Sequence, residues 1–210
     1  MLFDPDCAKC ERLSAFLNDV RADHPDYFCA PVPPFGDPDA QLLIVGLAPG
    51  MHGANRSGRP FTGDHAGILL YRTIFEAGFS SQPVSIASDD ELRLTDCRIS
   101  NAVKCLPPAN KPTTQEIRNC NPYLASEISS LDKNAVVLAL GKIAHDSVLR
   151  ALGIKLSRHQ FAHAAVHNIP GPLYLVDSYH CSRYNTQTRR LTEPMFQAVF
   201  QKINQLLDKS

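Results

Sequence analysis

The stretch LLIVGLAPGMHGANRSGRPFTGD, residues 42–64, decides how this chain is read. An apolar, β-branched run ends at Gly46. Gly50, Gly53, Gly58 and Gly63 follow before the stretch closes on Asp64. Such a run predicts a buried strand, and glycines spaced so closely after it allow tight turns and the near approach of another group to the backbone. The loop is not a Gly-x-x-x-x-Gly-Lys-Ser/Thr phosphate cradle, nor does it match the Gly-x-Gly-x-x-Gly of dinucleotide-binding folds. Phe61 is either a plug for the core or a platform for a planar ligand. Asp64 is either the N-cap of the following helix or a carboxylate delivered to a site.

Working outward, three more apolar runs follow: CRISNAVKC (97–105), AVVLALG (135–141) and PLYLVDSYH (172–180). Helical periodicity lies between them. Residues 67–78 space Ile68, Tyr71, Ile74 and Phe75 on one face. Residues 113–131 open with Thr113 and Glu116, a capping box. The last helix starts after a Thr192 N-cap and buries Met195, Phe196, Val199, Phe200, Ile203 and Leu207. Strands alternating with helices predict a three-layer α/β/α sandwich around a mainly parallel, four-stranded sheet, one domain over 1–210. The segment 80–92 reads as an exposed excursion. In such a sheet ligands sit at the carboxyl ends of the strands. The loops after the first, second and fourth runs therefore point to one site.

At 44% apolar residues the chain has the composition of a globular domain, and no apolar run reaches the roughly 20 residues that span a bilayer. The start MLFDPDCAKCERL lacks an apolar signal core, which makes the cytoplasm the expected location. Lys and Arg number 21 against 21 Asp and Glu. That balance argues against a large basic footprint for nucleic acid but leaves room for a local one at 104–118 and 183–190.

Seven cysteines, an odd number, speak against a disulfide scaffold. Cys7 and Cys10 form C-x2-C, and Cys105 and Cys120 a second pair. Four thiolates suit Zn2+ or an iron–sulfur cluster. Cys29 and Cys97 read as structural. After the fourth run, DSYHCSRYNTQTRRLT (177–192) offers His180 as one titratable donor and several polar groups for a phosphate or a groove. His52 and His65 flank the first loop as further candidates, whereas His145, His159, His163 and His167 carry no evident role.

Taken together, GLAPGMHGANRSGRPFTGD, SNAVKCLPPANKPT with Cys120 downstream, and SYHCSRYNTQTRRLT resemble the uracil-DNA glycosylase superfamily. The resemblance is to its iron–sulfur branch, families 4 and 5, and the first motif is most similar to family 5, or type b. It covers nearly the whole chain, with each block at the end of a predicted strand. It implies a monomeric, monofunctional DNA glycosylase that hydrolyses the N-glycosidic bond of uracil, and of other deaminated bases such as hypoxanthine, to begin base excision repair. By this resemblance Asp64 and His180 are catalytic, and Gly46, Ala48, Phe61 and Asn101 hold the flipped base. Ser182, Arg183, Tyr184 and Asn185 meet DNA, with Arg189 and Arg190 behind them. Cys7, Cys10, Cys105 and Cys120 hold a [4Fe–4S] cluster.

Two departures stand out. Sister families place a polar or acidic residue after the first glycine. Here it is Leu47, an apolar feature shared with family 5, which moves the carboxylate role to Asp64. The usual His-Pro-Ser is His180-Cys181-Ser182. Those departures and the zero net charge keep open a catalytically weak iron–sulfur module that binds DNA or senses damage. A nucleoside or nucleotide hydrolase with a structural zinc is the other alternative.

Overall fold

The computed structural model describes residues 3–132, 134–169 and 173–207. Six strands form one sheet: β1 (Phe35–Gly36), β2 (Leu42–Gly46), β3 (Cys97–Asn101), β4 (Val136–Leu140), β5 (Val166–Ile169) and β6 (Leu173–Ser178), in the order β1-β3-β2-β4-β6-β5. The four apolar runs become β2, β3, β4 and β6, which pair in parallel. The sheet is larger than the predicted four strands because β1 and β5 add antiparallel edges. Both edges are short and mostly solvent-facing, so they carry no apolar run to betray them. Pro172, the first residue of the fourth apolar run, lies outside the described residues.

Period-2 alternation sorts the strands between two cores. Leu42, Ile44, Val136, Leu138 and Leu140 face a core closed by α3 (His65–Glu76) and α7 (Glu193–Leu207). Leu43, Val45, Val137 and Ala139 face the other, closed by α4 (Thr114–Ser129) and α5 (Lys142–Ala151). The periodicity of α7 is met by burial of Phe196, Val199, Phe200 and Ile203, with Met195 and Leu207 packed at the margin. In α3 the buried face is Leu69, Leu70, Tyr71 and Ile74, while Ile68 and Phe75 point to solvent. The apolar residues of α3 run almost all round the helix, and spacing alone selected the wrong pair.

The Thr113–Glu116 capping box forms, and Glu116 also takes a bidentate pair from Arg12. Arg12 lies on α1 (Glu11–Asp23), a helix that buries Leu13, Leu17 and Val20. The pair pins the N-terminal segment, with its C-x2-C, to the helix that carries Cys120. Between β3 and Cys105, the buried Lys104 ammonium bonds Ser100 and lies 2.7 Å from Glu127 of α4. Removing one partner of such a pair strands a charge in the core. Glu127→Ala should therefore cost about 3–5 kcal/mol in denaturant unfolding, while joint Lys104→Met and Glu127→Leu replacement should recover most of it.

Candidate active site

The site begins where β2 and β3 end side by side, Gly46 paired with Asn101. A Cβ on Gly46 would strike the Asn101 Oδ1 and come within 2.7 Å of the Phe61 ring. The bare α-carbon is what lets the amide and the ring both lie against the strand end. Phe61 itself is in the left-handed region, φ 58°, and its carbonyl is pressed onto Gly67 of α3 at a place where any Cβ would collide. Its ring is 6% exposed and lies 5.9 Å from the His180 ring at an interplanar angle of 26°. Plug and platform are thus one arrangement: a buried ring with a face on a cleft.

Asp64 occupies the N-cap position of α3, yet its side chain makes no capping bond. The carboxylate turns back onto Gly50 and Gly53, whose missing Cβ atoms leave it room, and accepts a bond from the Ala54 N–H at the start of the short helix α2 (Ala54–Ser57). Burial raises its pKa above the usual aspartate range, and Ala54, Arg56 and His52 only partly oppose that. A helix cap exposed to water would not be so perturbed.

The cleft has a volume of about 470 Å³. Leu47, Ala48 and Phe61 give it apolar walls, while Asp64, Asn101 and His180 bring polar groups to it. Among the described residues, the Asn101 Oδ1 and the His180 Nδ1 are buried without a hydrogen-bond partner. Unmet polar atoms of this kind are costly unless a ligand satisfies them. Burial also lowers the His180 pKa to about 4, which leaves a neutral imidazole at neutral pH. The arrangement suits a flat heterocycle with a polar edge, with a carboxylate beside whatever that ring is attached to.

The loop after β6 is built to hold His180 still. Asn185 Nδ2 donates to the His180 carbonyl at 2.8 Å, and the Ser182 hydroxyl caps α6 (Arg183–Gln187) by accepting from the Asn185 N–H. The Ser182 and Asn185 side chains are thus engaged within the loop. Ser182 and Arg183 also line the cleft, and Tyr184 projects from α6 at 70% exposure. Arg190 lies over the Tyr179 ring, 4.6 Å from its centroid, and Arg189 is exposed. Cys181 is fully buried, and burial pushes its thiol up to about 12. It is a core residue rather than a site thiol. His65 lines the cleft and bridges to Thr186 across 3.3 Å, whereas His52 turns away to the Tyr27 hydroxyl.

Two features escaped the sequence. Asn110 reaches the cleft from a turn in which Ala109 and Asn110 both have positive φ. The histidines of the β5 region also have work to do: His145 and His167 flank Asp177 at 2.8 and 2.9 Å, and His163 Nδ1 accepts the Tyr179 N–H. Together they fasten the end of β6 and the residue after it, at Asp177 and Tyr179, three residues and one residue before His180. Their density in RHQFAHAAVHN (158–168) was the available signal.

On the other side of the β3 loop, Cys7, Cys10, Cys105 and Cys120 line one apolar cavity, all four as free thiols. Cys120 accepts from the Lys104 N–H at 3.3 Å and Cys10 from the Asn119 amide at 3.5 Å. Burial and then the neighbouring sulfurs push Cys105 up to about 12, and burial likewise takes Cys120 to about 11. Four cysteines on one cavity are a donor set that fits a bound metal or cluster, which would displace their protons on binding.

A family model described as the uracil DNA glycosylase superfamily matches residues 33–207. A type-5 uracil-DNA glycosylase of Thermus thermophilus is 46% identical over 205 residues, 95% of this chain and 93% of the relative. A type-5 uracil-DNA glycosylase of Pyrobaculum aerophilum is 41% identical over 190 residues, 89% of this chain and 82% of the relative. A type-4 uracil-DNA glycosylase of Saccharolobus solfataricus is 31% identical over 175 residues, 80% and 74% of the two chains.

The close packing at the strand end has a direct consequence. Gly46→Ala forces a methyl into the Phe61 ring and the Asn101 amide, and Gly53→Ala forces one into the Asp64 carboxylate. Each should destabilise the fold by about 1–3 kcal/mol through overpacking, measured by denaturant unfolding.

Proposed function

The chain belongs to the uracil DNA glycosylase superfamily, and we propose that it acts as a single-domain enzyme that removes uracil from DNA by hydrolysing the N-glycosidic bond. The observation that carries this reading is the conjunction, in one cleft, of the Phe61 ring, the two unpartnered polar atoms of Asn101 and His180, and the Asp64 carboxylate.

Breaking an N-glycosidic bond builds positive charge on the sugar and negative charge on the departing base. Asp64 serves the sugar side, steadying the cation and orienting the attacking water. Its burial strengthens it as a base. His180 serves the base side. As a neutral imidazole it donates a hydrogen bond to a base carbonyl as negative charge develops there, without carrying a full proton. Asn101 offers both a donor and an acceptor to the pyrimidine edge. Phe61 stacks on the base, while Gly46 and Ala48 let it lie close to the backbone. Leu47 sets an apolar side chain where sister families carry a polar or acidic one, so the carboxylate role falls to Asp64.

Among the described residues the cleft wall carries no lysine, and the nearby Lys104 is engaged with Glu127. That supports hydrolysis without a lyase step. Arg183 grips the backbone at the cleft mouth, with Arg189 and Arg190 behind it, and Tyr184 is the group presented to the duplex. Ser182 and Asn185 act by shaping the loop that makes these contacts.

Cys7, Cys10, Cys105 and Cys120 would hold a [4Fe–4S] cluster, whose contribution is structural. Four thiolates are a donor set that both zinc and an iron–sulfur cluster use, and the metal content separates the two. Protein purified without oxygen should carry about four irons per chain, and stoichiometric zinc in their place would remove the cluster from this account.

The catalytic assignment is tested by single-turnover excision from oligonucleotides carrying uracil, hypoxanthine or xanthine. The Asp64 role is indifferent to which base leaves. Asp64→Asn should slow every cleaved substrate by a similar factor, on the order of 10²-fold or more. Because the active form is the carboxylate and its pKa is raised, activity should fall as pH drops through a value above the ordinary aspartate range. The variant should lack that acid limb. An Asp64→Asn protein with full activity would reduce Asp64 to a structural residue. Activity on hypoxanthine is expected because the apolar Leu47 and Ala48 wall excludes few bases.

A further inference from the structure

A second groove of about 350 Å³ opens beside the cleft and shares Asp64, His65 and Arg183 with it. Its remaining wall is apolar or small: Gly63, Gly67, Ile68, Val84 and Ser85. Ile68 is 63% exposed and Val84 54%, although most bulky aliphatic residues of this chain are buried. Isolated exposed apolar residues need no explanation, but two facing one groove do. The groove is also held in shape. Thr62 and Ser85 share a hydrogen bond of 2.7 Å, and the buried Arg59 guanidinium ties the 85–90 segment down through Ser85, the Ser88 carbonyl and Asp90. The volume falls at the lower end of what small-ligand sites enclose.

We propose that this groove is a subsite for the nucleobase adjacent to the one excised, on the same strand, held against Ile68 and Val84. The inference rests on the glycosylase reading above. Its own support is the continuity of the two hollows: Asp64 and His65 form the partition, so a strand that places one nucleotide in the cleft passes its neighbour across that partition. Arg183 borders both hollows, where it meets the phosphate joining the two nucleotides. The aliphatic faces of Ile68 and Val84 accept any base face, and the Ser85 hydroxyl is already engaged with Thr62 and Arg59, so the subsite adds affinity without reading sequence. A flanking base can enter it only when unpaired, which makes single-stranded DNA, or DNA frayed beside the uracil, the substrate that uses it.

The test couples protein and DNA changes. The Ile68→Ser, Val84→Ser double variant should keep the parent's melting midpoint, since both side chains are exposed. On a single-stranded uracil oligonucleotide its KM should rise about tenfold, the weight of roughly one apolar side chain's burial, with kcat little changed. On oligonucleotides with an abasic residue 5′ or 3′ of the uracil, one of the two positions should raise the parent's KM and abolish the difference between parent and variant. Equal KM values for the two proteins on the normal oligonucleotide would overturn the subsite. So would a difference that persists with either flank abasic. Failure of the parent to excise uracil at all would instead strike the glycosylase reading.

Discussion

The site hangs on side chains pressed against bare backbone. Phe61, Asn101 and Asp64 occupy space that a Cβ on Gly46, Gly50, Gly53 or Gly67 would take. Each contact fixes a different functional element: the ring that faces the cleft, the amide at the end of β3, and the carboxylate at the mouth. The glycines of the opening stretch are therefore less about flexibility than about distance. They let the loop fold onto itself tightly enough that its own side chains are immobilised before any ligand arrives, and such preorganisation is what a site that works by electrostatics requires.

The same tightness explains the electrostatics. Desolvation is the leading influence on both catalytic candidates, yet it acts in opposite directions because it always disfavours the charged form. It makes Asp64 a stronger base and His180 an uncharged donor. Burial thus pushes two groups of one cleft toward two different roles. Arg56 and His52 keep Asp64 from going further, since a carboxylate that stayed protonated could not steady a cation.

What was legible in the sequence follows from which physics leaves a local trace. The four central strands are buried on both faces and read as apolar runs. The edge strand Val166–Ile169 alternates with solvent and hides. The Thr113–Glu116 box announces α4, whereas α1 buries only Leu13, Leu17 and Val20 among charged neighbours. Site residues carried by motifs, such as Asp64, Phe61, Asn101 and His180, converge on one cleft. The histidines near Asp177 show in the sequence as a dense run, but their role, like that of Asn110, does not, because it comes from long-range geometry. His145 and Asp177 are 32 residues apart and meet only once β4, α5 and β6 are assembled.

The stretch from Asn101 to Cys105 ties the two halves of the molecule's chemistry together. Within five residues it supplies the amide in the cleft, the Ala102 and Val103 N–H groups bonded to the Gly46 and Leu47 carbonyls, the buried Lys104 and a thiol on the four-cysteine cavity. Its two ends face different sites, and neither can shift without the other. The Arg12–Glu116 pair closes the N-terminal helix, with Cys7 and Cys10 just ahead of it, onto α4. A metal or cluster held by the four cysteines would need no electron transfer to matter for the cleft. It would act on the far end of the loop whose near end carries Asn101, about four residues away in sequence.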